Sequence, residues 1–199
     1  SYSFSPDQTK LLLKKNSVKQ WRHSSYGSYY VYDISSESLT PVTSVPDSLR
    51  NVKFSPDSNK LAFVRNDNNL YLFDLTDELE EQLTFDSYKW SPNSDYIAFI
   101  REDQTYVKEY ALVDYESQYP VVKYIRYPKT GEDNPIVSIS ILDLKNKEYR
   151  SVNLPDTAYY IPDIIWQTNS SNLYFATLNR KQHDWNLYKY DLYTNGPDL

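Results

Sequence analysis

Short apolar runs recur along the chain, and each follows the same kind of polar turn. Phe4-Ser5-Pro6-Asp7 leads to Leu11-Leu12-Leu13, Phe54-Ser55-Pro56-Asp57 to Leu61-Ala62-Phe63, and Trp90-Ser91-Pro92-Asn93 to Ile97-Ala98-Phe99. A degenerate copy, Trp166-Gln167-Thr168-Asn169, leads to Leu173-Tyr174-Phe175. Apolar runs this short, bounded by turn residues, read as strands. An aromatic residue ends one strand. Proline then fixes φ, and Asp or Asn bonds to nearby backbone, which makes a tight turn before the next strand.

A second run answers each copy. Tyr29–Ile34, Leu70–Leu75, Ile139–Leu144 and Leu187–Leu192 all end in Asp followed by an apolar residue, and the internal ones enter polar turns such as Ser35–Ser38 and Lys145–Lys147. One unit is therefore strand, Ser-Pro-Asp turn, strand, turn, strand, polar turn, strand. Repeated units of four antiparallel strands predict propeller blades. Residues 1–199 read as one incomplete all-β domain of a larger protein, a partial β-propeller of about three to four four-stranded antiparallel blades. The run Thr76–Gln82 has a capped helix start, with Thr and Asp as caps and glutamates after them. It stands where the other units turn, so a turn is expected, with Glu80-Glu81 as its solvated end.

The spacing of the units is uneven. Phe4 and Phe54 are 50 positions apart, Phe54 and Trp90 are 36 apart, and Trp90 and Trp166 are 76 apart. The first and third units thus carry extra material, at Lys14–Ser28 and at about Glu102–Asn134, and long excursions from a regular scaffold are often functional. The sequence ends at Leu199, just after the last third-strand signature at Leu187–Leu192, so the fourth blade is expected to be incomplete.

Composition narrows the function classes. The 21 tyrosines suit half-buried strands, and three glycines, at 27, 131 and 196, leave no phosphate-binding Gly-rich loop. The same scarcity rules out a Gly-x-Ser-x-Gly nucleophile elbow within this chain. A net charge of −6 without a basic stripe argues against a nucleic-acid partner, and Lys19 with Arg22 reads as a solvated pair. No apolar run is long enough to span a membrane. There is no cysteine, so thiolate chemistry and Cys-based zinc sites are absent. His23 and His183, the only histidines, read as surface or packed residues, and no cofactor or metal is expected. One N-glycosylation sequon occurs, Asn169-Ser170-Ser171, in the turn of the degenerate fourth unit.

The first excursion contains Val18-Lys19-Gln20-Trp21-Arg22-His23-Ser24, and the third contains Tyr124-Ile125-Arg126-Tyr127-Pro128-Lys129-Thr130-Gly131 followed by Asn134-Pro135. With Leu178-Asn179-Arg180, these runs resemble, in order, motifs of the N-terminal propeller of the dipeptidyl peptidase IV family. The resemblance implies a propeller capping an α/β-hydrolase domain of the same parent chain, in a serine exopeptidase that removes N-terminal Xaa-Pro or Xaa-Ala dipeptides. It implies a parent that is a single-pass membrane protein with this domain lumenal or extracellular, and a second copy of the parent as a candidate partner. The composition suits the fungal dipeptidyl aminopeptidases.

The resemblance also gives Arg22 a role, contact with the backbone carbonyl of a bound peptide, which suits the fixed donor fork of a guanidinium. By the residues alone, Arg22 reads as a surface side chain packed on Trp21 or held in an ion pair. The family's paired glutamates, which grip the substrate amine, lie in a segment between the second and third units. Here Leu83-Thr84-Phe85-Asp86 passes directly to Ser87-Tyr88-Lys89-Trp90. Two readings follow: the substrate-gating propeller of a dipeptidyl peptidase, or an interaction propeller of a non-enzymatic relative.

Overall fold

The computed structural model describes the chain except residues 22–23, 44–47, 77–79, 84–86, 116–117, 195 and 199; the side chains of 20–21, 24, 80–83, 87 and 196–198 are also outside the description. Among the described residues every regular element is a strand. The first sheet is β1 (Tyr2–Phe4), β2 (Lys10–Trp21), β3 (Ser24–Asp33) and β4 (Ser38–Pro41). The second is β5 (Arg50–Phe54), β6 (Lys60–Val64), β7 (Leu70–Asp74) and β8 (Glu80–Leu83). The third is β9 (Ser87–Trp90), β10 (Tyr96–Asp103), β13 (Ile136–Asp143) and β14 (Glu148–Val152), with a separate two-stranded hairpin, β11 (Glu109–Asp114) and β12 (Val121–Arg126), inserted between β10 and β13. The fourth is β15 (Ile164–Trp166), β16 (Asn172–Leu178), β17 (Trp185–Asp191) and β18 (Gly196–Asp198). Each sheet is an antiparallel meander.

Two expectations change. The fourth blade is not short of a strand, because β18 pairs with β17 from Lys189↔Asp198 to Asp191↔Gly196. A three-residue strand containing Gly and Pro carries no alternating pattern, so its pairing is not legible in the sequence. Glu80 and Glu81 are not the end of a turn. They lie in β8, opposite Phe73 and Leu72, on an edge strand where charge is well tolerated.

Strand alternation explains how the blades stack. In β6, Leu61 and Phe63 join a core cluster with Leu12, Val31 and Leu49, between blades one and two. Their neighbours Ala62 and Val64 point the other way, into a cluster with Tyr88, Ile97 and Phe99, between blades two and three. β10 repeats the division: Ile97 and Phe99 face blade two, and Ala98 faces a cluster with Ile164, Trp166 and Phe175 of blade four. Consecutive apolar residues are therefore needed wherever a sheet is covered on both faces. Neighbouring blades are also tied by hydrogen bonds. The Tyr88 hydroxyl lies 2.6 Å from the carbonyl oxygens of Asn51 and Ala62, and Trp166 Nε1 donates to Lys89 O at 3.1 Å.

A meander places its connections alternately at opposite ends. The β1–β2 type of turn and the β3–β4 type share one edge, and the β2–β3 type shares the other edge with the links between blades. At the first edge the four turns are near copies. Ser5, Ser55 and Ser91 donate to Asp7, Asp57 and Asn93 Oδ1 at 2.6, 2.6 and 2.7 Å. The fourth place in each turn, Gln8, Ser58, Ser94 and Ser170, has φ between 60° and 64°. The last three of these are serines buried at the blade boundary, and each accepts a backbone N–H from the preceding blade: Asp7 N–H to Ser58 Oγ (3.1 Å), Asp57 N–H to Ser94 Oγ (3.0 Å) and Asn93 N–H to Ser170 Oγ (3.0 Å). The β3–β4 type of turn repeats as well. Asp33, Asp74, Asp143 and Asp191 each accept turn amides two or three residues on.

Candidate functional site

The opposite edge is where the blades differ. In blade one, β2 and β3 run on past the sheet as a hairpin, with Lys19 opposite Ser25 and Trp21 opposite Ser24. The register slips between Lys15 and Val18, where Asn16 takes φ 53°, so the hairpin bends at a bulge. Arg22 and His23, between the two strand ends, lie outside the described residues.

The stem below them is held firmly. Gly27 exchanges two backbone hydrogen bonds with Leu49, of 2.9 and 2.8 Å, which join the hairpin to the link entering blade two. Only glycine fits this close approach. A Cβ at residue 27 would come 2.9 Å from the Lys15 carbonyl oxygen and 2.7 Å from Lys14 Cε. The Arg50 guanidinium sits over the Tyr26 ring at 5.7 Å and donates to Asn68 Oδ1 at 2.7 Å. Lys14 Nζ donates to Ser25 O and Oγ at 3.0 and 2.6 Å, and burial moves its pKa downward.

The adjoining loop of blade two, residues 65–69, continues this rim. Arg65 lies over the Tyr71 ring at 4.4 Å and donates to Thr43 Oγ1 at 2.6 Å. The Tyr71 hydroxyl donates to Asp67 Oδ2 at 2.7 Å. Burial raises the Tyr71 pKa, with the Asp67 contact adding to it. Burial also opposes ionisation of Asp67, but the Asn69 amide and the Tyr71 hydroxyl outweigh it and leave its pKa lowered.

Blade three carries the arm, β11 and β12, paired from Glu109↔Arg126 to Asp114↔Val121. Arg126 fastens its root, with Nη1 donating to the carbonyls of Gln104, Thr105 and Val107 at 3.2, 3.2 and 2.8 Å. The segment after the arm reaches blade four. Asn134 Nδ2 donates to the Tyr160 hydroxyl at 2.7 Å, Arg180 Nη2 donates to Glu132 O at 2.5 Å, and Lys108 pairs with Glu132 at 2.6 Å. The Tyr-Ile-Arg-Tyr-Pro-Lys run is thus an anchor for the arm. Along the arm, Tyr106, Tyr115, Tyr119 and Tyr124 are all more than two-thirds exposed.

In blade four, His183 Nδ1 is 2.8 Å from Asp184 Oδ1, both side chains are exposed, and Asn179 closes the loop with bonds to both residues. They line an open cavity of about 470 Å³ with Thr157, Thr177, Trp185 and Asn186. Among the described residues no hydroxyl nucleophile bonds to His183, and no group of three or more His, Asp or Glu side chains is placed to hold a metal. No helix among them is long and apolar enough to cross a membrane. Asn169 sits on the opposite edge, exposed, in the fourth turn.

Of the residues singled out by sequence, the structure brings together those of the hairpin stem and those of the arm root, and it leaves Asn169 apart. Gly27 and Arg50 are positioning residues that sequence reasoning misses, and Arg126 stands out in the sequence only as part of its run. Gly27 carries a weak signal, being one of three glycines in the chain and lying inside a strand-like run.

The family model of the dipeptidyl peptidase IV (DPP IV) N-terminal region matches residues 5–89 and 85–198. A probable dipeptidyl-aminopeptidase B of Aspergillus niger is 31% identical over 94% of this chain and 25% of its own length. Dipeptidyl peptidase 4 of Felis catus is 31% identical over 92% of this chain and 28% of its own. The crystal structure of Porphyromonas gingivalis dipeptidyl peptidase 4 superposes on all of this chain with a TM-score of 0.91 and 29% identity, using 32% of that protein. The chain therefore spans about a quarter of the length of the curated relatives it matches.

Proposed function

The chain belongs to the dipeptidyl peptidase IV N-terminal region family, and from that premise we propose that it is the substrate-gating part of a serine-type dipeptidyl peptidase whose α/β-hydrolase domain lies elsewhere in the parent. The observation that carries the proposal is the blade-one hairpin. It is the longest strand pair at its edge among the described residues, Trp21 ends its first strand just before Arg22 in the chain, and its stem is fixed by Gly27–Leu49 and Arg50–Tyr26. A stem tied at two points lowers the ordering cost of a recognition loop that it carries. Arg22 is the residue assigned to the peptide carbonyl, with a charge-assisted bond worth about 1.5–3 kcal/mol. Replacement of Arg22 by Ala in the full-length parent is expected to lower kcat/KM for Xaa-Pro substrates by about tenfold or more, with the melting temperature unchanged. An effect below about twofold removes the assignment.

Exposed apolar residues on the two outer faces of the blade row, Tyr2, Phe4 and Leu39 on one side and Ile165 and Leu187 on the other, support further blades in the parent. The arm supports a homodimer, since both faces of this two-stranded sheet present apolar residues to solvent. The proposed parent sits outside the cytosol on a membrane anchor.

One observation favours a second reading, a non-enzymatic interaction propeller. Only residues 84–86 separate β8 from β9, whereas the links between the other blades run over residues 42–49 and 153–163, and the family match falls into two pieces meeting at 85–89. The amine-gripping glutamate pair belongs to that junction. A Gly-x-Ser-x-Gly elbow downstream together with release of Xaa-Pro dipeptides by the parent supports the enzyme. An elbow without dipeptide release, or no elbow, supports the second reading.

A further inference from the structure

We propose that Asn169 is an acceptor for an N-linked glycan, at a turn position that stays open when a further blade packs beside it. The four equivalent turns allow a direct comparison. In the first three, the side chain at the third place, Asp7, Asp57 or Asn93, is held by the serine hydroxyl at the first place. The fourth turn has Gln167 at the first place, and Gln167 Oε1 accepts from Asn172 Nδ2 instead. The carboxamide of Asn169 is left to its own sequon. Its Oδ1 accepts from the Ser171 backbone N–H at 3.1 Å and from the Ser171 hydroxyl at 2.7 Å. Its Nδ2 donates to no described residue, whereas Asn93 Nδ2 is spent on Asp95 Oδ2 at 2.6 Å. The amide nitrogen and the hydroxyl two residues on are the two groups that N-glycosylation requires, and here they meet on one exposed turn.

The chemistry is a substitution at the anomeric carbon of a lipid-pyrophosphate-linked oligosaccharide. Asn169 Nδ2 forms the new bond to that carbon and gives up one proton. The bond from the carbon to the pyrophosphate oxygen breaks, and the lipid pyrophosphate leaves with the electron pair.

The room for a glycan is visible in the other turns. Asp7, Asp57 and Asn93 each already have a following blade bonded to their own backbone N–H, and all three side chains remain exposed. The contact between blades is made by the backbone N–H at the third place and the buried hydroxyl at the fourth, and the third side chain stays exposed beside it. Ser170, the middle residue of the sequon, is 4% exposed with its hydroxyl taken by Asn93 N–H. The acceptor faces out while its neighbour is packed in.

The test is to express the parent through a eukaryotic secretory pathway and read the mobility shift removed by an N-glycan amidase, with peptide mass spectrometry for the Asn-to-Asp conversion. The Asn169 peptide is expected to be occupied, with occupancy lost in Asn169→Gln and in Ser171→Ala, and kept or increased in Ser171→Thr. Ser171→Ala retains the asparagine and carries the same readout if Asn169→Gln fails to fold. Asp95→Thr completes a sequon that starts at Asn93-Ser94, in the equivalent turn of blade three, and is expected to add a second shift. Secreted wild type and Ser171→Thr that are both unmodified at Asn169 overturn the proposal. Absence of a second shift in Asp95→Thr overturns the claim that this turn position has room.

Discussion

At one edge of the sheets, three turns hold a serine hydroxyl 2.6 to 2.7 Å from the side chain two residues on, and three pairs of neighbouring blades are joined by the same bond from backbone N–H to serine. At the other edge the connections differ in length and form, although the loops of blades two and four share one turn, closed by Asn68 N–H to Arg65 O and by Gln182 N–H to Asn179 O. Blade one grows a bent hairpin, blade two closes over residues 65–69, blade three inserts an arm, and blade four closes over 179–184. Both edges connect the same antiparallel strands, so strand pairing does not demand the difference. It shows where constraint lies. The first edge sets the distance between blades, and a change there alters two blades at once. The second is bounded by strands that are already paired, so its connections lengthen at the modest entropic cost of a longer loop.

The largest effects should come from the repeating edge. Ser58→Ala and Ser94→Ala each leave a backbone N–H of the preceding blade without its partner, which costs about 1–3 kcal/mol. Chemical denaturation of the parent should show this as a lower midpoint at unchanged slope. Gly replacements at the same positions keep the left-handed φ and should lose the same bond. A Gly variant as stable as wild type breaks the claim that the hydroxyl sets blade spacing.

Gly27→Ala comes next. The added methyl meets a backbone carbonyl that cannot move as Lys14 can, so a cost toward the lower end of about 1–3 kcal/mol is expected. It should be confined to the hairpin stem. Hydrogen exchange should speed up at Gly27 and Leu49 while the β6 and β7 amides stay protected. Loss of protection in both places would mean that the stem is part of the scaffold.

Acid titration probes a smaller effect. Burial raises the Asp74 pKa, but the Lys60 ammonium and the Thr76 hydroxyl and amide outweigh it and lower it to about 2; the Ser35 hydroxyl and Ser36 amide do the same for Asp33. A carboxylate with a depressed folded pKa stabilises the fold above its unfolded value of about 3.9, and the contribution is lost as pH falls toward about 2. Stability should therefore decline over that window, and Asp74→Asn should flatten part of the decline. At neutral pH the exchange should cost less than about 1 kcal/mol, because the Lys60–Asp74 pair, at 2.7 Å, is partly solvated.

The smallest stability change belongs to the arm. Tyr115→Ser with Tyr119→Ser should alter folding stability by no more than about 0.5 kcal/mol, since both side chains are exposed. The same pair should reduce self-association of the parent in sedimentation. A stable dimer that survives the double change removes the arm from the interface.

The sequence makes the repeating edge half visible. Ser-Pro-Asp marks the turns and the Asp-apolar ends mark the third strands, because both are local: a side chain bonding to backbone two or three residues away leaves its trace in adjacent letters. The serine at the fourth place does not stand out, since its partner lies 51, 37 or 77 residues away. Glu80 and Glu81 read as turn although they lie in β8, because edge strands tolerate the charges that otherwise signal solvent-exposed loops. The extra length at Lys14–Ser28 and Glu102–Asn134 is legible as length. The stem pinned by Gly27 and the arm root clamped by Arg126 are not, for these depend on backbone groups that look alike in every residue.

The serine bond between blades also has a direction. The first three turns give through their third residue and the last three receive through their fourth, so the row of blades is polar, like a chain of hands each reaching the same way. Any unit offering a backbone N–H at one place and a hydroxyl at the next can join such a row, and the bond itself places no limit on how many units do. Gln8 holds the receiving place in the first turn at φ 61° but has no hydroxyl to offer. A unit set against that side of blade one meets a carboxamide oxygen on a longer side chain instead, an acceptor held less tightly than the serine hydroxyls, so the first link of the row differs from the rest.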